Sequence, residues 1–147
     1  MLQRLLATVA NDIAQGIDLI AEAVVQGPVA AKGDKLTYNA RLFLHRGDEV
    51  MWDTGVLARA REHVETRLID GVEVVDHLVI LDERQTMAGI EQSLYGMRIA
   101  GYREVVVAPH LAYRDKGLPG LIPHQAIIRV LLRVQAIVKA GDIGKPA

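Results

Sequence analysis

Cysteine is absent from the 147 residues, so neither a disulfide nor a thiolate metal site can hold this chain together, and its fold must rest on packing. Aromatic residues are scarce at 4%, with one phenylalanine (Phe43) and one tryptophan (Trp52); most of the core must be aliphatic. Neither sign of charge dominates. The 17 Lys and Arg against 18 Asp and Glu leave a formal net charge of -1, without the clustered basic face that nucleic acid requires. No apolar run reaches the roughly 18 residues of a membrane span, because Asp12, Asp18 and Glu22 interrupt the N-terminal one. The 5 histidines, His45, His63, His77, His110 and His124, form no His-x-x-x-His pair, which argues against a metal centre. Residues 1–10 lack the charged start, unbroken apolar centre and cleavage site of a signal peptide. They read as part of the mature chain, and a cytoplasmic location is the expectation.

What is present fits a single globular domain: half of the residues are hydrophobic and 24% are charged. Leu2, Leu5, Leu6, Val9 and Ile13 recur at helical spacing over residues 1–15, and Gly16 breaks the pattern. Residues 18–25 begin a strand. Lys32-Gly33-Asp34 reads as a turn, and Leu36, Tyr38, Ala40 and Leu42 alternate with polar neighbours in a half-buried strand over 35–44. A second turn at residues 45–49 leads to Trp52-Asp53. Beyond it two readings stand. One is a hairpin in which residues 64–68 and 72–81 alternate about Asp70-Gly71, a pair suited to a primed two-residue turn. The other is a short helix over 56–63. A helix over 87–95 stopped by Gly96, a buried strand over 101–108 and another over 125–138 complete the chain. Residues 142–147 read as a frayed tail. Many strands around one central helix make an α+β protein.

The wording of one stretch carries more. Met87-Ala88-Gly89-Ile90-Glu91-Gln92-Ser93-Leu94 is followed by Met97 and by Arg103-Glu104-Val105-Val106-Val107-Ala108-Pro109. Then come Leu111-Ala112-Tyr113 and Gly117-Leu118-Pro119-Gly120-Leu121-Ile122-Pro123, ahead of the apolar run 126–134. In this order and wording, the stretch resembles the C-terminal half of an FKBP-type peptidyl-prolyl cis-trans isomerase. Residues 27–38 are similar to that family's first pocket strand and its turn, and Trp52-Asp53 to its aromatic–aspartate pair, so the likeness runs over about residues 19–138.

The resemblance implies a strongly curved antiparallel sheet wrapped around one short helix over residues 17–140. Beyond that domain pattern stand an insertion at about 55–76, a helical extension over 1–16 and a flexible tail over 141–147. The resemblance also implies isomerisation of X-Pro bonds in an apolar pocket, with no cofactor and no covalent or metal chemistry. Tyr38, Trp52, Asp53, Met87 and Tyr113 would be the catalytic set, Met87 through its backbone amide. His77, Thr86, Ile90, Leu121, Ile122 and Val130 would bind substrate. Three positions depart from the family pattern: Ile90 stands where a tryptophan usually floors the pocket, and His77 and Val130 stand where phenylalanines do. A binding or chaperone-like module with little turnover is therefore the second reading. The partners implied are proline-containing peptides or unfolded clients, and macrolides are candidate ligands. The leucine-rich N-terminal segment is a candidate homodimer surface, and neither nucleic acid nor membrane is expected as a partner.

Overall fold

The alternation over Lys35–Leu44 becomes the strand on which the molecule is organised. It sends Leu36, Tyr38, Ala40 and Leu42 inward and leaves every second residue on the outer face. The computed structural model describes residues 16–23, 27–52, 57, 63–113, 117 and 122–145. In chain order these supply β1 (Ile17–Ala23), β2 (Lys35–Leu44), β3 (Glu49–Val50), β4 (Val64–Ile69) and β5 (Val72–Ile80). The helix α1 (Ala88–Leu94), β6 (Tyr102–Val107) and β7 (Ile128–Val138) follow. The strands form one antiparallel sheet in the order β1-β6-β7-β2-β5-β4, with β3 also on β2. The inward residues of β2, β6 and β7 join Ile90, Leu94 and Met97 in one buried cluster. The helix thus covers one face of the sheet, the arrangement of an α+β fold.

The hairpin reading holds for β4 and β5. Asp70 at φ 50° and Gly71 at φ 79° make the tight turn, both in the left-handed region that a primed two-residue turn demands. The rival helix over 56–63 and the N-terminal helix over 1–15 fall almost wholly outside the described residues. The expectation of a strongly curved sheet is corrected to a coarser description. The described pairings are regular, with single register shifts at Leu19/Ala21 and Thr37/Tyr38 where a bulge bends the ladder locally. Residues 140–142 form a 3₁₀ turn, and Lys145 N–H bonds to the Asp142 carbonyl at 3.1 Å.

One glycine decides how closely the helix approaches the sheet. A Cβ on Gly89 would lie 2.3 Å from Val107 Cγ1 and 3.0 Å from the Leu111 carbonyl oxygen. Only a residue without that atom lets α1 rest on β6 and on the turn after it.

The ends of β2 and β7 are tied by a buried carboxylate. Asp34 accepts from Ala31 N–H (2.9 Å), from Ala140 N–H (2.9 Å) and from the Lys139 ammonium, which also donates to the Val29 carbonyl at 2.9 Å. Burial alone would raise the Asp34 pKa. The Lys139 hydrogen bond, the two amides and the Lys139 charge outweigh it and hold the carboxyl below the usual range. A depressed folded-state pKa contributes stability that is present above the unfolded value, about pH 4, and is lost as pH falls through the folded one. Asp34→Asn should therefore lower the midpoint of thermal unfolding at pH 7. It should also flatten the loss of stability below about pH 4, measured by urea titrations across pH; an unchanged acid limb would contradict the assignment.

Candidate active site

Strand β2 changes neighbours along one edge, and the predicted site residues gather at the change. Its other edge pairs with β7 from Lys35 to Leu44. On this edge β5 pairs with residues 35–38 and β3 with residues 42–43, so 39–41 have no strand beside them there. A half-buried carbonyl left open in such a gap needs a donor. The Trp52 indole supplies it, with Nε1–H donating to the Ala40 carbonyl at 2.7 Å. This bond places the indole edge against the imidazole of His77, with ring centroids 4.4 Å apart and planes at 64°. His77 stands directly opposite Tyr38 as the last pair of the β2–β5 ladder, and their rings stack at 5.1 Å and 19°. Tyr38 and His77 are both fully buried, and Trp52 packs half-buried against the same core. Contacts of this geometry are worth about 0.5–1.5 kcal/mol beyond area burial.

The helix meets this ring cluster through its first residues. The Tyr38 hydroxyl lies 3.3 Å from Thr86 Oγ1, and Met87 forms the extended N-cap of α1 at φ -60° and ψ 144°. Ile90, Ile122 and Val130 are buried in the cluster, and Met87 and Tyr113 pack half-buried against it. Tyr113 precedes the proline–glycine loop, of which Gly117 and residues from 122 onward are described. Gly117 adopts φ +61°, and a Cβ there would lie 2.3 Å from the carbonyl oxygens of both Ile122 and Pro123. Its N–H bonds to the Tyr113 carbonyl at 3.0 Å, which closes a turn at the start of the loop. Asp53 and Leu121 lie outside the described residues. The structure thus brings Tyr38, Trp52, His77 and Thr86 into direct contact, and Met87, Ile90, Tyr113, Ile122 and Val130 around one core. Among the described residues no three His, Asp or Glu gather closely enough to hold a metal ion.

Sequence reasoning missed what anchors the other end of α1. Arg103, buried on β6, donates through Nη1 to the carbonyls of Ser93 and Tyr95, both at 2.7 Å. Its Nε–H donates to Glu22 Oε1 at 2.7 Å, and both side chains are buried. The last carbonyls of a helix have no intrahelical partner, and this guanidinium provides one. The signal was in the alternation of β6: period 2 puts Arg103 on the same face as Val105 and Val107, a charged residue aimed into the core. The helix end also carries Tyr95, whose pKa is raised by burial first and then by the carboxylates of Glu91 and Asp82.

With this geometry in place, comparison with known proteins assigns the class. The family model described as FKBP-type peptidyl-prolyl cis-trans isomerase matches residues 27–130, and the chain belongs to that family. It is 36% identical over 79 residues to the peptidyl-prolyl cis-trans isomerase FKBP11 of Bos taurus, covering 53% of this chain and 39% of that protein. Over 125 residues it is 30% identical to FK506-binding protein 2B of Rhizopus delemar, covering 84% of this chain and 58% of that one. An FK506-binding protein of Streptomyces anulatus is 38% identical over 48 residues, 31% of this chain and 39% of that protein. The chain therefore spans between two fifths and three fifths of the length of these relatives.

Truncating Arg103 would leave the Glu22 carboxylate buried and alone and reopen two helix carbonyls. Arg103→Ala should cost about 3–5 kcal/mol in urea unfolding, and replacing both partners by aliphatics (Arg103→Met with Glu22→Leu) should cost clearly less. A double variant as unstable as the single one would show that the pair does not act as a unit.

Proposed function

We propose that this chain catalyses cis-trans isomerisation of X-Pro bonds in peptides or unfolded proteins, in the pocket bounded by Tyr38, Trp52 and His77. The observation that carries this reading is the contact of those three rings beside an aliphatic cluster that includes Ile90, Ile122 and Val130. Membership of the isomerase family supports it. Rotation about the bond faces a barrier of ~18–20 kcal/mol set by amide conjugation. The twisted transition state has lost that conjugation and much of the charge separation between oxygen and nitrogen. A water-poor, apolar wall disfavours the planar, dipolar ground state relative to it.

In this reading the pyrrolidine ring sits against Trp52 and Tyr38 above Ile90. The Met87 amide and the Tyr113 hydroxyl hold the flanking carbonyls, and Thr86 and the loop residues Leu121 and Ile122 close the sides. Asp53 orders neighbouring side chains and moves no proton. No nucleophile is needed, and the pocket that takes the prolyl ring is also the one a macrolide would enter. In the same reading the leucine-rich segment 1–15 serves as a homodimer surface. A second reading, a peptide-binding module with little turnover, is favoured by His77, which puts a polar imidazole into the wall. Ile90 and Val130 give it an aliphatic floor.

A protease-coupled assay on an Ala-Xaa-Pro-Phe peptide separates the two. Acceleration at micromolar protein is expected, and binding without acceleration assigns the module instead. Ile90→Trp should raise kcat/KM, each tenfold corresponding to about 1.36 kcal/mol; an unchanged rate in the folded variant would remove Ile90 from the pocket.

A further inference from the structure

Strand β5 leaves the sheet at the pocket. Only residues 77–80 pair with β2, so residues 64–76 continue beyond it as a two-stranded arm rooted at His77, which faces both Tyr38 and Val64. The root is fastened. Asn39 Nδ2 donates to the Val75 carbonyl at 2.9 Å and to Asp76 Oδ1 at 2.8 Å, and Asp76 receives Arg67 Nε at 2.7 Å. The tip is not covered: Leu68, Ile69 and Val72 are 73%, 45% and 65% exposed.

Isolated ribbons with bare aliphatics are marginal in water, and proteins protect sheet edges with lysine, proline or bulges. Strand β4 ends the sheet among the described residues. It has no lysine or proline, and its register with β5 is unbroken from Val64↔His77 to Ile69↔Val72. The charge on the arm is one-sided. Arg67 is taken up by Asp76, whereas Glu65, Asp70 and Glu73 are exposed and make no ion pair among the described residues.

We propose that β4 is a docking edge for an extended stretch of unfolded polypeptide flanking the proline, apolar in character and carrying Lys or Arg. The inference rests on the prolyl-pocket reading and names the client class: chains long enough to reach the tip, not isolated X-Pro units. The stretch adds a strand to β4, covers Leu68 with the apolar residues beside it, and matches the carboxylates with its cations. From His77 to Val72 the arm extends about 17 Å, the reach of five or six residues of extended chain.

The test uses the full chain and two fluorescent peptides with the same central X-Pro: a tetrapeptide, and one of about 14 residues with Leu, Val and Lys in its flanks. By anisotropy, the long peptide should bind at least about tenfold more tightly than the tetrapeptide, the scale of burying one aliphatic side chain. In Leu68→Ser/Ile69→Ser/Val72→Ser that advantage should vanish while tetrapeptide isomerisation is unchanged. Glu65→Lys/Glu73→Lys should weaken the Lys-bearing peptide and tighten one carrying Glu instead. A wild-type chain that gains nothing from the flanks overturns the proposal, as does a triple variant that loses both peptides equally. A wild-type dimer dissociated by the triple variant in light scattering overturns it too, by assigning the edge to a second copy. Flank-dependent binding that the triple variant abolishes, with no tetrapeptide turnover in the wild type, refutes the isomerase reading and leaves the docking edge standing.

Discussion

The parting of β5 from β2 after Tyr38 is the constraint on which the site is built. Up to that residue the two strands share a ladder; past it that edge of β2 has no strand beside it until β3 joins at Leu42. The Ala40 carbonyl, left in the gap, draws in the Trp52 indole. His77, the last paired residue of β5, is thereby held between that indole and the Tyr38 ring. A backbone hydrogen-bonding requirement therefore selects where the aromatic wall forms, and the same parting frees the strand pair that projects beyond it.

A chain with few aromatic rings has concentrated two of them, with an imidazole, at this one place. The single phenylalanine is elsewhere: Phe43 faces away from the core with Arg41 and Arg129 guanidinium carbons 5.1 and 4.8 Å from its centroid, a cation–π arrangement on the outer surface. Beside the rings the core is aliphatic, with Ile90 and Val130 both fully buried. The helix carrying Ile90 is fixed at its far end by Arg103 and along its flank by the closeness that Gly89 permits. The helix is thus held against the sheet without a large ring at position 90 to wedge it in place.

Local pattern was legible where local forces decide. Alternation located β2 at 35–44, the Asp70-Gly71 pair located the hairpin, and Gly96, at φ +79°, follows the end of α1 as its left-handed preference suggested. What pattern did not reveal is held across long sequence separations. Asp34 bonds Lys139 over 105 positions and Arg103 bonds Glu22 over 81, and no window of periodicity spans such distances. The site was legible only through resemblance to a family, since Tyr38, Trp52 and His77 share no spacing that marks them as neighbours. The imidazole's place between two rings follows from strand register, which composition does not encode. Asp53 and Leu121, two members of the expected set, fall outside the described residues.

The carboxylate of Asp34 has a consequence for how the molecule comes apart. It holds the turn that leads into β2 and the first residues after β7 in one set of hydrogen bonds. Fraying from either end would strand a buried anion, so the two segments must open together. Local opening here is a cooperative event joining distant parts of the chain, a single foldon. The strand that bears Tyr38 is shielded from piecemeal loosening at the end nearest the turn over residues 140–142.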